Sequence, residues 1–361
     1  MHRRRLYHPS RTTRGHRNGL LFIGALREVS LIALVVGLLL MAIRESSSLL
    51  QMHGTPKGAE APTFPLDPIM NLDFDRDRRT LIAHTYPEGI DEIRVSNAVS
   101  KKRISPQNLF STATSEINST TMMLTQWTHE NSLHHGVYFL RNDQVVHSEE
   151  FILKVLSTAD ARISRDGSIA LMISHNGTII GWDLTQSPPN RWEFHLEKSS
   201  ATNQLSPDGT KLVIAANDGN PLICDSRSGE VIFSLPAISS CCRSAAWSSD
   251  GQRLSLGDEH GNVFVYDTVT GQQVWMGHIN FLFARSMALS FDGNILAAGG
   301  FDKKIRIWDL ANKTHSPARV VESTSVVNDV IITDDTLFAA CLDGTIREWS
   351  LKSEQQPRQI R

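Results

Sequence analysis

The sequence predicts an all-β fold made of a repeated hairpin unit, preceded by one N-terminal apolar helix. Three observations carry that prediction. A turn sequence recurs at a fixed step of 42 residues, a turn dipeptide recurs in step with it, and one long apolar run follows a cluster of arginines. A fixed period of this length marks a repeat architecture in which each unit buries its apolar face on its neighbours.

The chain opens with a basic segment, 1–28. Residues 1–57 carry nine basic side chains against Glu28 and Glu45, a net of +7. The whole chain of 361 residues is −2, which leaves −9 on residues 58–361. That acidic body argues against a nucleic-acid partner, because phosphates require a basic surface. Charged residues are 20% and hydrophobic residues 40% of the chain, ordinary values for a globular protein.

Val29 to Ile43 is apolar except for Ser30 and is read as a transmembrane signal-anchor helix, 29–43. Fifteen helical residues span about 22 Å, short of the roughly 30 Å hydrocarbon core, and extending back to Leu20 supplies the rest. Arg27 then snorkels to the headgroups. Seven arginines precede the run, against Arg44 and Lys57 after it. The expected orientation is therefore N-terminus cytoplasmic and body extracytoplasmic. A cleaved signal peptide, with Ser46-Ser47-Ser48 near its cleavage site, is the other reading. A linker, 44–60, leads into the repeat domain, 61–361.

The repeat is legible from its turns. SRDG ends at Gly167, SPDG at Gly209, SSDG at Gly251, SFDG at Gly293, and TDD ends at Asp335. A short β-rich run follows each turn: SIALMIS, TKLVIAAN, QRLSLGD, NILAAGG and TLFAACL. A second run then ends at Trp182, Cys224, Tyr266, Trp308 and Trp349. Between the two runs lie Asn176-Gly177, Asp218-Gly219, His260-Gly261, Asp302-Lys303 and Asp343-Gly344. Such dipeptides suit two-residue type I′ hairpin loops, with Lys303 the poorest fit.

These residues resemble the WD-repeat family, most fully from Gly277-His278 through SFDG to IRIWD, which ends at Asp309. The resemblance implies a seven-bladed β-propeller of four-stranded antiparallel blades. Stepping back 42 from Trp182 reaches Leu140 and then Ala98, beside the strands VYFLRN and EIRVSN. LIAHTY and MMLTQW fit the strands before them. The family seals its ring by pairing both chain ends in one blade, which protects the strand edges. The fourth strand of the last blade comes either from residues near 60–65 or from the C-terminal EQQPRQIR. The resemblance also makes His278, Asp302 and Trp308 a structural hydrogen-bond network, incomplete because Ala298 stands where Ser or Thr is usual.

Signals of chemistry are few. Cys224, Cys241, Cys242 and Cys341 fit no zinc spacing and read as free thiols, with Cys241 and Cys242 in a loop. His129, His134 and His135 flank one loop without an accompanying carboxylate or cysteine pattern, so no metal is expected. Asp267 to Trp275 echoes a quinoprotein motif but occurs once. No GxSxG, Walker or HExxH pattern is present. Neither a cofactor nor an enzyme activity is expected. The sequons at Asn118, Asn176 and Asn312 read as incidental.

Two features point to a protein or peptide partner. Arg243 and Arg285 open RSAAWSSDG and RSMALSFDG, one repeat apart, where the family's inner strand begins beside the central channel. Phe281, Leu282 and Phe283 add an apolar loop between them. Arginine and exposed apolar loops both favour partner contacts. Solvated rim arginines, or arginines paired to a neighbouring Asp, and aromatics folded between blades, are the structural alternatives. The expected function is a membrane-tethered interaction scaffold, with a sensor for a small extracytoplasmic ligand in the channel as the alternative.

Overall fold

The computed structural model describes residues 69–360, except 76–79, 86–88, 95–98, 104–108, 130–131, 142–143, 153–158, 175–176, 197–199, 217–219, 237, 239, 280–283, 313 and 354–356. The basic segment, the apolar run at Val29 to Ile43 and the linker lie outside the described residues. No helix among the described residues is long and apolar enough to cross a membrane.

Twenty-eight strands form seven four-stranded antiparallel sheets, each from one contiguous stretch of chain. Blade 1 contains β1 (Ile69–Asp75), β2 (Thr80–Thr85), β3 (Gly89–Arg94) and β4 (Val99–Arg103). Blade 2 contains β5 (Leu109–Thr114), β6 (Thr120–His129), β7 (Ser132–Arg141) and β8 (Gln144–Ile152). Blade 3 has β9 (Ala159–Ile163), β10 (Ile169–Ser174), β11 (Thr178–Asp183) and β12 (Asn190–His195). Blade 4 has β13 (Ser200–Leu205), β14 (Lys211–Ala216), β15 (Leu222–Asp225) and β16 (Val231–Ser234). In blade 5 these are β17 (Cys242–Trp247), β18 (Arg253–Asp258), β19 (Asn262–Asp267) and β20 (Gln273–His278). In blade 6 they are β21 (Ala284–Leu289), β22 (Ile295–Gly300), β23 (Lys304–Asp309) and β24 (Arg319–Glu322). Blade 7 closes the series with β25 (Val327–Thr333), β26 (Thr336–Cys341), β27 (Ile346–Ser350) and β28 (Arg358–Gln359).

The first strands touch in chain order around a ring, and β25 returns to β1. Packing tells the same story, because seven apolar clusters each straddle one pair of neighbouring blades. Trp182 packs with Phe139 between blades 2 and 3, Trp308 with Trp275 between 5 and 6, and Leu72 with Phe338 between 1 and 7. The smallest of these contains Ile82, Met123 and Leu140, between blades 1 and 2. This arrangement is consistent with a seven-bladed propeller. Extrapolation through Leu140 and Ala98 thus reached the correct number of sheets.

Burial explains why the repeat reads as it does. A middle strand has a neighbouring blade on both faces, so β10 is buried at all six positions. The outer β12 faces solvent along most of its length. The last residue before Asp183, Asp225, Asp267, Asp309 and Ser350 is a core position, and Trp182, Cys224, Tyr266, Trp308 and Trp349 are all essentially inaccessible.

Two expectations need correction. First, the inner hairpins of blades 5, 6 and 7 are not two-residue type I′ loops. Gly261 N–H donates to Asp258 O at 3.2 Å and Gly344 N–H to Cys341 O at 3.0 Å. Only the second dipeptide residue has positive φ, at Gly261 (87°), Gly344 (79°) and Lys303 (62°). Each loop is a tight turn followed by one left-handed residue, which needs a single permissive position instead of two. The Asp258 carboxylate holds the turn by accepting from His260 N–H and Asn262 N–H. Lys303 stands where glycine is favoured, and the left-handed region costs a residue with a Cβ about 1–2 kcal/mol. Lys303→Gly should therefore raise the urea midpoint, corresponding to about 1 kcal/mol of stability. An unchanged or lower midpoint would show that the Lys303 stem packs more than its backbone strains.

Second, among the described residues the two chain ends do not share a blade. Of the two sources expected for the last strand the C-terminal tail is the one that pairs, while residues 60–65 lie outside the described residues. β28 pairs with β27 through Arg347 to Gln359 and Glu348 to Arg358, so the C-terminal tail supplies the fourth strand of blade 7. Blade 1 is complete in itself. Among the described residues, the seam between blades 1 and 7 is held through side chains, without strand exchange.

Candidate functional site

The seven inner strands surround a channel of about 680 Å³, lined by residues of every blade. In six of them the pairing slips by one residue at the same place, leaving Met70, Phe110, Ala201, Arg243, Arg285 and Asn328 as the extra residue. Only β9 runs without a shift. A bulge bends the strand and re-aims one side chain. Both candidate arginines are such residues, at the start of the inner strand on the side of the β18–β19 and β22–β23 turns.

Their partners differ. Arg243 Nη2 lies 3.1 Å from Glu259 Oε2, in the turn of its own blade. One repeat later Phe301 occupies the position of Glu259. The Arg285 guanidinium lies over the Phe301 ring, 5.2 Å from its centroid. Among the described residues Arg285 has no ion pair and no hydrogen bond. Burial lowers its pKa from the ordinary arginine value, and the Asp329 charge works against that shift. The remaining partner residues expected from sequence, Phe281, Leu282 and Phe283, lie outside the described residues.

Asp329, two residues into β25, is the polar centre of the seam. Its Oδ2 accepts from Leu72 N–H of blade 1 at 2.8 Å. Its Oδ1 accepts from Ser286 Oγ–H of blade 6 and from Val330 N–H. One carboxylate therefore ties three blades. Burial within the ring pushes its pKa up to about 6, and the nearby Asp73 charge adds to this, while the three donors pull the other way. Asp73 repeats the device one blade on, accepting from Thr114 N–H at 2.9 Å.

The opposite end of the channel is differently built. Arg165 and Phe291 occupy the second position of SRDG and SFDG, in blades three places apart, and meet across the opening with the guanidinium 5.3 Å from the ring centroid. Glu116 grips the same guanidinium at 2.7 and 3.2 Å. Adjacent turns are joined by Arg165 N–H to Pro207 O and Asp250 N–H to Phe291 O. Sequence reasoning missed Arg165, Phe291 and Asp329. The first two stand at one repeat position, but only ring closure brings them together.

The remaining candidates have structural partners. His278 Nε2 is 3.0 Å from His260 O. Asp302 accepts from Arg306 at 2.7 Å and from Lys304 N–H. Trp308 Nε1–H donates to His315 O at 3.3 Å. The bonds of Asp302 and Trp308 thus run to separate partners. His135 is buried in β7, and the side chains of His129 and His134 lie outside the described residues. Among the described residues no group of three or more metal-binding side chains gathers. All four cysteines are free and buried. Cys242 begins β17 instead of lying in a loop. Burial pushes the Cys242 thiol up to about 12 and Cys224 up to about 11, far from thiolate chemistry.

Residues 271–309 match the WD domain, G-beta repeat family. That match spans β20 to β23 and includes both Arg285 and Phe301. Together with the seven four-stranded sheets it supports a WD-repeat family. Propellers of this kind commonly bind protein partners and are generally non-catalytic scaffolds. A search of curated proteins finds no match to this chain.

Proposed function

We propose that this chain is a membrane-tethered WD-repeat scaffold that presents the bulged end of its channel to a protein or peptide. One observation carries the choice of face. That end displays Arg243 and Arg285, the latter with no ion pair among the described residues, whereas Arg165, Glu116 and Phe291 occupy the other end with one another. The proposed tether rests on the apolar run behind seven arginines, and the same charge asymmetry is what supports a propeller outside the cytoplasm. A sensor for a small ligand is the second reading, favoured by a channel volume within the range of small-molecule sites.

One experiment tests the side of the membrane and the docking face together. Intact cells expressing the full chain are treated with a membrane-impermeant cross-linker, and covalent adducts are compared between variants. Wild type and the Gln252→Ala control, at the closed end, should give the same adducts. Arg243→Ala with Arg285→Ala should weaken capture by about tenfold or more, as loss of hot-spot arginines does. Adducts that form only with a permeant reagent would overturn the orientation. Full adducts from the double variant would overturn the face.

A further inference from the structure

Arg243 and Arg285 are equivalent by repeat, by strand and by bulge, yet their electrostatic situations are opposite. Glu259 neutralises Arg243 from the turn that faces it. At the same turn position blade 6 has Phe301, which supports the guanidinium by its ring face and takes none of its N–H donors. Asp329 offsets part of the burial of Arg285, but the oxygens of that carboxylate already accept from Leu72, Ser286 and Val330. What remains is a half-buried, stacked, planar cation whose donor edge has no partner among the described residues, at the mouth of a channel in an acidic body.

We infer that Arg285 is a receptor for a single carboxylate of an acidic peptide segment, and that Arg243 is not part of that receptor. This rests on the docking face proposed above and names its ligand chemistry. A guanidinium held flat matches a carboxylate through two parallel N–H···O bonds. A phosphate dianion is the poorer fit, because it calls for more than one free cation and Glu259 has removed Arg243 from that role. Phe301 confers the specificity, since it holds the cation rigid without discharging it.

The exchange of Glu259 for Phe301 supplies the test. The purified full chain is titrated, by fluorescence anisotropy, against a labelled octapeptide of alternating Gly and Glu, with Gln replacing Glu as the control peptide. Wild type should bind the Glu peptide and not the Gln peptide. Arg285→Gln and Phe301→Glu should each weaken binding by about tenfold or more, the loss expected for charge-assisted hydrogen bonds. Phe301→Tyr keeps the ring and should retain binding, which separates loss of the cation from loss of fold. Arg243→Gln should change affinity by about twofold at most, as for an exposed ion pair. Glu259→Phe should add a second site of similar affinity by releasing Arg243. Wild-type affinity in folded Phe301→Glu, or a loss in Arg243→Gln equal to that in Arg285→Gln, would overturn the assignment. So would inorganic phosphate displacing the peptide better than acetate. Peptide binding that follows Arg285 while native adducts survive its loss would leave the receptor standing and sink only the docking face.

Discussion

Asp329→Ala should destabilise the propeller by about 2–4 kcal/mol at pH 7, with urea unfolding as the measurement. The substitution removes the acceptor for Leu72 N–H and Ser286 Oγ–H at once, from a seam in which no strand exchange is found among the described residues. Asp329→Asn keeps an acceptor and discards the charge that repels Asp73, so it should stay within about 1 kcal/mol of wild type. The pH dependence separates the two roles. A carboxyl whose pKa is about 6 in the folded chain and ordinary when unfolded favours the folded state when protonated. Its contribution is fully present below about pH 4 and lost as pH rises through about 6, by up to about 3 kcal/mol before screening by channel water. Wild type should therefore lose stability over that window relative to Asp329→Asn. Parallel profiles would show that Asp329 titrates normally and that its bonds alone hold the seam.

Trp308→Ala should cost about 3–5 kcal/mol, the range for emptying a fully buried aromatic site. The indole is inaccessible to solvent, meets Trp275 edge-on at 5.8 Å and donates to the His315 carbonyl. Its loss opens a cavity between blades 5 and 6 and leaves the His315 loop without its anchor. Trp308→Phe fills most of the volume but has no N–H, so it should cost about 1–2 kcal/mol. The comparison is made by denaturant midpoints. Equal losses in both variants would mean that the hydrogen bond dominates and that the cluster repacks around the void.

The spacing of the turns determined the number of sheets, because a strict step of 42 could be carried back through the two blades whose turns have no such motif. Trp182, Tyr266 and Trp308 were legible as equivalent strand ends for that reason, and their burial follows from the blade packing. The bulge was not legible, since an inserted residue in one strand leaves no mark on the period of the turns. That is why Arg243 and Arg285 were recognised as equivalent while the difference between Glu259 and Phe301 went unread. Asp329 escaped for a related reason. Blade 7 is displaced by one residue at this point, so the partner position of Ser286 lies 43 residues on, at a carboxylate that the repeat does not advertise. The Arg165 and Phe291 contact crosses a ring that exists only after all seven blades have assembled, and no local pattern encodes it.

The seam also has a mechanical meaning. In a ring sealed by strand exchange, tension entering through the first blade loads a ladder of backbone hydrogen bonds. Here blade 1 carries its own four strands, and the described contacts that hold it to the ring run through side chains: Leu72 with Phe338, the Asp329 carboxylate on Leu72 N–H, the Asp73 carboxylate on Thr114 N–H, and the small patch around Ile82. A pull applied through Ile69 therefore loads two carboxylate bonds and two apolar faces. Blade 1 becomes the element that yields first, detaching as a unit and exposing the edge of blade 7 while blades 2 to 7 keep their own packing.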